Sequence, residues 1–195
     1  MIDPNPTIDR TRTVAASVRD DQLDAATPMP GTSVRELLNH LLGLTIAFRD
    51  AARKLDGPTT STPPAKVTEP LPEGWRALLD AQLLELAAAW REESAWQGTT
   101  KAGGADLPGE ICGLVALDEV LIHGWDLARA TEQAYTPTEA EAEAVLPIVT
   151  PGAEDPDGRD RGDLFGPVVR VPSDAPSFDQ VLGLAGRDPA WRASA

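Results

Sequence analysis

In the stretch ALDEVLIHGWDLARA (116–130), Glu119 stands four residues before His123, and Asp126 follows three later. On a helix, side chains at i and i+4 are neighbours, with Cβ atoms about 5–6 Å apart. That spacing lets a carboxylate oxygen and an imidazole nitrogen converge on one cation, each at roughly 2.0–2.2 Å for zinc. Asp126 falls on the same face, one turn on. It could join the first two as a ligand only under strain, but it is well placed to accept an N–H from a ligating histidine. The Glu–His spacing alone is common in a chain with 31 acidic residues among 195, and on a solvated face it makes an ordinary ion pair. This segment is not a solvated face. In ICGLVALDEVLI (111–122) only Asp118 and Glu119 are charged, and a buried carboxylate without a partner is strongly disfavoured or stays protonated.

The chain has one other histidine, His40, in ELLNHLLGL (36–44), flanked by Leu37, Leu41 and Leu44. Taken alone it reads as a core histidine bonded to a backbone carbonyl. Taken with Glu119 and His123 it completes a set of two imidazoles and one carboxylate from two helices, as bundle cores build metal sites. The expected ligands are therefore His40, Glu119 and His123, with Asp126 behind them. Three protein ligands leave positions open for water or substrate, unlike a closed structural site. The expected cofactor is a divalent metal, zinc first, with nickel, iron or manganese as alternatives. Such a cation would hold a bound thiol as thiolate, ready to attack an electrophilic carbon, or activate water for hydrolysis. The sequence names no further catalytic or cofactor-binding residue.

The neighbouring candidates have plainer readings. Asp118 reads as a surface acid facing another helix or solvent. Arg129, three residues past Asp126, reads as its ion-pair partner, in competition with His123. Cys112 lies two turns before Glu119, roughly 10 Å along the axis, too far to share a cation, and reads as a small buried hydrophobe. Trp75 and Trp125 read as core. GRDRGD (158–163) reads as a solvated loop of mixed charge.

Helices must position these groups, and the chain is patterned for them. A weak first helix covers about 6–21. A second begins at SVRE, where Ser33 and Glu36 have capping-box spacing, and carries Leu37, Leu41, Leu44 and Phe48 as a stripe until Gly57-Pro58. GPTTSTPPAKVTEPLP (57–72) is a loop by composition. A third helix, about 72–95, aligns Trp75, Leu79, Leu83, Leu86 and Trp90. QGTTKAGGADLPG (97–109) breaks the chain, and the fourth and most apolar helix spans about 107–132. TPTE (136–139) opens a fifth, with Thr136 as cap and Glu139 reaching back, closed by Pro147 and Pro151. FGPVVRVP (165–172) could be one extended segment, and a last short helix covers about 177–186. No convincing period-2 alternation occurs. The expected fold is all-α: an antiparallel four-helix bundle over 1–150 that carries the metal, with 151–195 as a short C-terminal extension packed on it.

Composition narrows the partners. With 17 basic and 31 acidic residues the formal charge is −14, which repels nucleic-acid phosphates and anionic lipid headgroups. No apolar run approaches a membrane span, and no basic-then-apolar leader opens the chain. The single cysteine excludes an internal disulfide and fits the cytoplasm. A small-molecule substrate is expected, with no nucleic-acid or membrane partner, and the pattern specifies no oligomeric state.

TPMPGTSVRELLNHLLG and LDEVLIHGWDLARAT, together with FGPVVRVPSDA and GLAGRDPAW, resemble the actinobacterial metal-binding branch of the DinB-like superfamily, typified by the N-terminal domain of mycothiol-dependent maleylpyruvate isomerase. The likeness runs from about residue 6 to the C-terminus. It implies a four-helix bundle holding a divalent metal, often zinc, through the positions His40, Glu119 and His123, with a low-molecular-weight thiol, mycothiol, as candidate cosubstrate. Members often carry a cysteine and a tryptophan before the second helix, where this chain has Met29 and Thr32, so a different pocket lining is expected. Residues 151–195 are too few for the isomerase's second domain, which points away from maleylpyruvate itself. The leading expectation is a metal- and thiol-dependent transferase or isomerase. The alternatives are a non-catalytic metal-containing protein that binds a small ligand, and a bundle with a vestigial site serving as an interaction module.

Overall fold

Pro6 in the first turn, where its missing N–H costs nothing, starts helix α1 (Asn5–Ala16). In this computed structural model, which describes residues 2–63, 69–155, 161 and 165–193, α1 ends earlier than its pattern predicts. A single 3-10 turn at Asp20–Gln22 follows it. Helix α2 (Val34–Ala52) opens on the expected box: Glu36 N donates to Ser33 Oγ at 3.3 Å, and Ser33 N donates to Glu36 Oε2 at 2.8 Å. Its stripe of Leu37, Leu41, Leu44 and Phe48 is buried. The Pro/Thr-rich connection, expected as loop throughout, holds a one-turn helix α3 (Pro58–Ser61); its residues 64–68 lie outside the described set. Helix α4 (Trp75–Arg91) buries Trp75, Leu79, Leu83, Leu86 and Trp90, and the short α5 (Glu93–Trp96) follows it.

The break at 97–109 is more ordered than its composition implies. Strands β1 (Thr99–Ala102) and β2 (Ala105–Pro108) pair antiparallel, from Thr99 opposite Pro108 to Ala102 opposite Ala105. Gly103 and Gly104 fill the two-residue turn with φ of 58° and 85°, as a hairpin twisting with its strands requires. Four-residue strands leave too little alternation to read in advance.

Helix α6 (Gly109–Ala130) follows directly. The bundle is α1, α2, α4 and α6: α2 packs on α4 and α6, and α1 packs on the same two. Helices α7 (Glu139–Val149) and α8 (Ser177–Leu184) pack on each other, and α7 packs on α6. Leu117, Leu121, Ile122 and Trp125 of α6 meet Val145 and Val149 of α7 and Val181 and Leu182 of α8 in a second core. Helix α6 is thus covered on both sides, which is why it is apolar nearly all round. From Ala116 to Ala130 only Glu119 and Arg129 are not buried.

Two local expectations change. The cap of α7 is Thr138, with Glu141 reaching back, in place of Thr136 and Glu139. The helix also continues through Pro147 to Val149. The FGPVVRVP segment forms no strand; one bond, Val169 N to Gly183 O at 2.9 Å, holds it against α8. No helix among the described residues is long and apolar enough to cross a membrane.

Candidate metal centre

Helix α2 carries His40, and helix α6 carries Glu119 and His123 on one face. The Oε2 atom of Glu119 lies 3.1 Å from His123 Nε2 and 3.4 Å from His40 Nε2. One ligand atom from each residue falls within 4.8 Å of the others. The two rings meet edge to face with centroids 4.8 Å apart. Side-chain exposure is 27% for His40 and 26% for Glu119 but 8% for His123. The cluster therefore reaches the surface through His40 and Glu119 and is rooted at His123.

Behind it, His123 Nδ1 is 3.1 Å from Asp126 Oδ2. The Arg187 guanidinium grips the same carboxylate, with Nη2 3.0 Å from Oδ2 and Nε 3.4 Å from Oδ1. Asp126 is wholly inaccessible, and Arg187 nearly so. Burial works against charge on each of these groups, and their mutual contacts outweigh it. His123 is pushed up to about 9 by its bonds to Asp126 and Glu119. Burial would raise Glu119, but its bonds to His123 and His40 hold it well below the usual carboxylate range. Asp126 is likewise held down by Arg187 and His123 against its burial.

The donor set suits a divalent cation. Two imidazole nitrogens and an ionised carboxylate oxygen converge, and the remaining nitrogen of His123 is engaged by a carboxylate, which fixes the ring. A cation entering this cluster would displace the His123 proton that Glu119 otherwise shares.

Several neighbours differ from their sequence readings. Asp118 is not a surface acid. It is 4% exposed, and its Oδ1 has no hydrogen-bond partner among the described residues. Burial first, and then the charge of Glu119, push it up to about 8. Its burial comes from α7 and α8 covering the second face of α6. Arg129 does not pair with Asp126; its Nη2 donates to the carbonyls of Trp191 at 2.8 Å and Pro189 at 3.4 Å. Arg161, within the expected solvated loop, is buried and donates to the carbonyls of Val149, Leu184 and Gly166, binding the ends of α7 and α8. The rest of GRDRGD lies outside the described residues. Cys112 is fully buried, and burial pushes its thiol up to about 11, as suits an inert hydrophobe. Trp75 and Trp125 belong to the two cores.

Arg187 is the residue that sequence reasoning missed. Its signal was the GR step after an apolar helix. Gly186, at φ 78°, closes α8 by a Schellman turn, with Arg187 N bonded to Leu182 O at 2.8 Å and Gly186 N to Gly183 O at 3.1 Å. Glycine is preferred there because only it enters the left-handed region without penalty.

The helical layers define a DinB-like bundle with a His–Glu–His cluster between two of its helices. Residues 6–128 match the family described as the mycothiol maleylpyruvate isomerase N-terminal domain, and the chain belongs to that family. Uncharacterized proteins of Mycobacterium tuberculosis strains CDC 1551 / Oshkosh and ATCC 25618 / H37Rv are each 27% identical over 172 residues, covering 88% of this chain and 88% of theirs. Crystal structures of mycothiol-dependent maleylpyruvate isomerase and of a histidine-to-alanine mutant superpose with a TM-score of 0.57 at 20% identity, a likeness of fold. The match covers 77% of this chain and 65% of that enzyme.

Proposed function

We propose that this protein binds a divalent metal through His40, Glu119 and His123 and uses it with a low-molecular-weight thiol of the mycothiol type, as a transferase or isomerase. The observation that carries this reading is the convergence of three donor atoms from α2 and α6 within 4.8 Å, on a fold whose family is typed by a thiol-dependent enzyme. Zinc suits the two nitrogens and one oxygen best, with nickel, iron and manganese as alternatives. When bound, the cation would supply Lewis acidity that keeps a thiol, or a water, deprotonated near neutral pH.

The residues of the chain do the rest. Asp126 accepts the Nδ1 proton of His123 and so holds its Nε2 toward Glu119 and His40, where a cation would take the place of the Nε2 proton. Glu119 brings the one negative charge among the three donors. His40 and Glu119, the exposed members, face the side from which a small molecule arrives. Residues 1–150 would form the metal-binding bundle and 151–195 an extension packed on it, in a cytoplasmic setting where a small thiol stays reduced.

Metal analysis of the purified protein tests the first half: near-stoichiometric zinc, nickel, iron or manganese is expected. A protein that neither carries nor takes up any of them ends the reading. The second half is tested by thiol consumption with mycothiol against epoxides, maleyl compounds and bimane probes. Bound metal with no thiol consumed by any of them points instead to a non-catalytic carrier of a small ligand.

A further inference from the structure

The Asp126 carboxylate has no exposed surface, and its Oδ2 receives two donors, His123 Nδ1 at 3.1 Å and Arg187 Nη2 at 3.0 Å. The guanidinium also reaches the second oxygen through Nε, and its Nη1 donates to Ala185 O at 2.9 Å. Such a two-point grip holds a carboxylate in one plane as a single ammonium cannot. Helix α6 supplies no equivalent: Arg129, one turn from Asp126, is committed to the carbonyls of Pro189 and Trp191. That commitment in turn fastens the chain just beyond Arg187. The segment after α8 is thus tied to α6 at two points, once through Arg129 and once through Arg187.

From these contacts we propose that Arg187 is a positioning residue of the His40–Glu119–His123 site, and that the segment following α8 is a working part of that site. The guanidinium fixes Asp126 so that it takes the Nδ1 proton of His123 and leaves Nε2 aimed at the shared cation position. The inference rests on the metal-binding reading above. Without Arg187, Asp126 would be a buried carboxylate compensated by His123 alone, free to rotate or to pull that ring out of line. Linkage then runs both ways. Docking of the 185–191 segment favours cation binding, and cation binding favours docking by the same factor.

Zinc alone, titrated by chelator competition into metal-free wild type, Arg187→Gln and Arg187→Lys, tests this. Arg187→Gln is expected to weaken zinc binding about tenfold or more. Arg187→Lys, which keeps the charge but not the two-point grip, is expected to recover only a small part of the loss, and full recovery would overturn the positioning role. A folded Arg187→Gln with wild-type zinc affinity overturns the proposal. Should that variant not fold, hydrogen exchange on the intact wild type decides. Zinc should slow the Arg187 and Trp191 amides, which bond Leu182 O and Asp188 O, more than the amides of the β1–β2 hairpin, and equal slowing overturns the proposal. A wild type that takes up no zinc fails earlier and differently, and it removes the metal-binding reading along with this one.

Discussion

His40 of α2 and His123 of α6 meet edge to face, their ring planes at 85° and their centroids 4.8 Å apart. Glu119 Oε2 lies within 3.4 Å of both Nε2 atoms. The pair is asymmetric: one ring reaches solvent, while the other is locked behind by Asp126.

That asymmetry separates binding from folding. His40→Ala removes a partly exposed ring whose hydrogen bond to Glu119 is long, at 3.4 Å, and whose other contact is the edge-to-face one with His123, so the metal-free protein should keep its stability within about 0.5 kcal/mol. Loss of one donor of three should nevertheless abolish stoichiometric zinc, measured by metal analysis after gel filtration. Full occupancy in His40→Ala would falsify the ligand assignment.

Asp118 should set the pH dependence of the metal-free protein. Folding raises it to about 8, against about 3.9 in an unfolded chain. The native state keeps a proton that the unfolded state releases, so stability falls as pH rises, by about 1.4 kcal/mol per unit between those values. His123, raised to about 9, contributes stability fully present below about 6.5 and lost as pH rises through the folded value. Glu119 and Asp126, held low, contribute stability present above about 4 and lost as pH falls. Between about pH 5 and 6.5 Asp118 is left as the main source of slope. Urea unfolding across that window should show the decline in wild type and a flat profile in Asp118→Asn. Identical slopes would mean that Asp118 ionises freely.

Two glycine substitutions should move stability in opposite directions. A Cβ on Gly124 would run into Thr11 Oγ1 and the Tyr135 hydroxyl, where α1 presses on α6. Gly124→Ala should therefore cost about 1–3 kcal/mol through overpacking, and it should disturb His123 beside it. A Cβ on Gly43 meets nothing within 4 Å, so Gly43→Ala in mid-helix should stabilise by about 0.5–1 kcal/mol. Thermal denaturation reads both, and equal shifts would contradict the packing described.

The register of the α7 cap is open to the same kind of check. Thr138→Ala removes the hydroxyl that accepts from Glu141 N at 3.2 Å and donates to Glu141 Oε2 at 2.8 Å, and should cost about 1 kcal/mol. Thr136→Ala, at an exposed position outside the helix, should change stability by less than about 0.5 kcal/mol. The reverse order in chemical denaturation would restore Thr136 as the cap.

What the chain's own letters determined about this protein is whatever depends on near neighbours. The stripe from Leu37 to Phe48, the Ser33–Glu36 box and the four-residue step from Glu119 to His123 follow from helical geometry, which repeats regardless of what packs outside. TPTEAE offers the capping-box spacing twice, from Thr136 to Glu139 and from Thr138 to Glu141, and packing chose the second over the expected first: Glu141 also receives Arg10 and Thr7 from α1. The rest depended on segments distant in the chain. Asp118 became a buried acid because α7 and α8 covered a face of α6 that a single helix cannot know is covered. Asp126 found Arg187, 61 residues away, in place of Arg129 on its own helix, because the turn after α8 delivers a guanidinium to one side of α6 while the carbonyls beyond it occupy Arg129. Local periodicity says which residues share a face. Which charges that face must answer to is decided when the chain folds back on it.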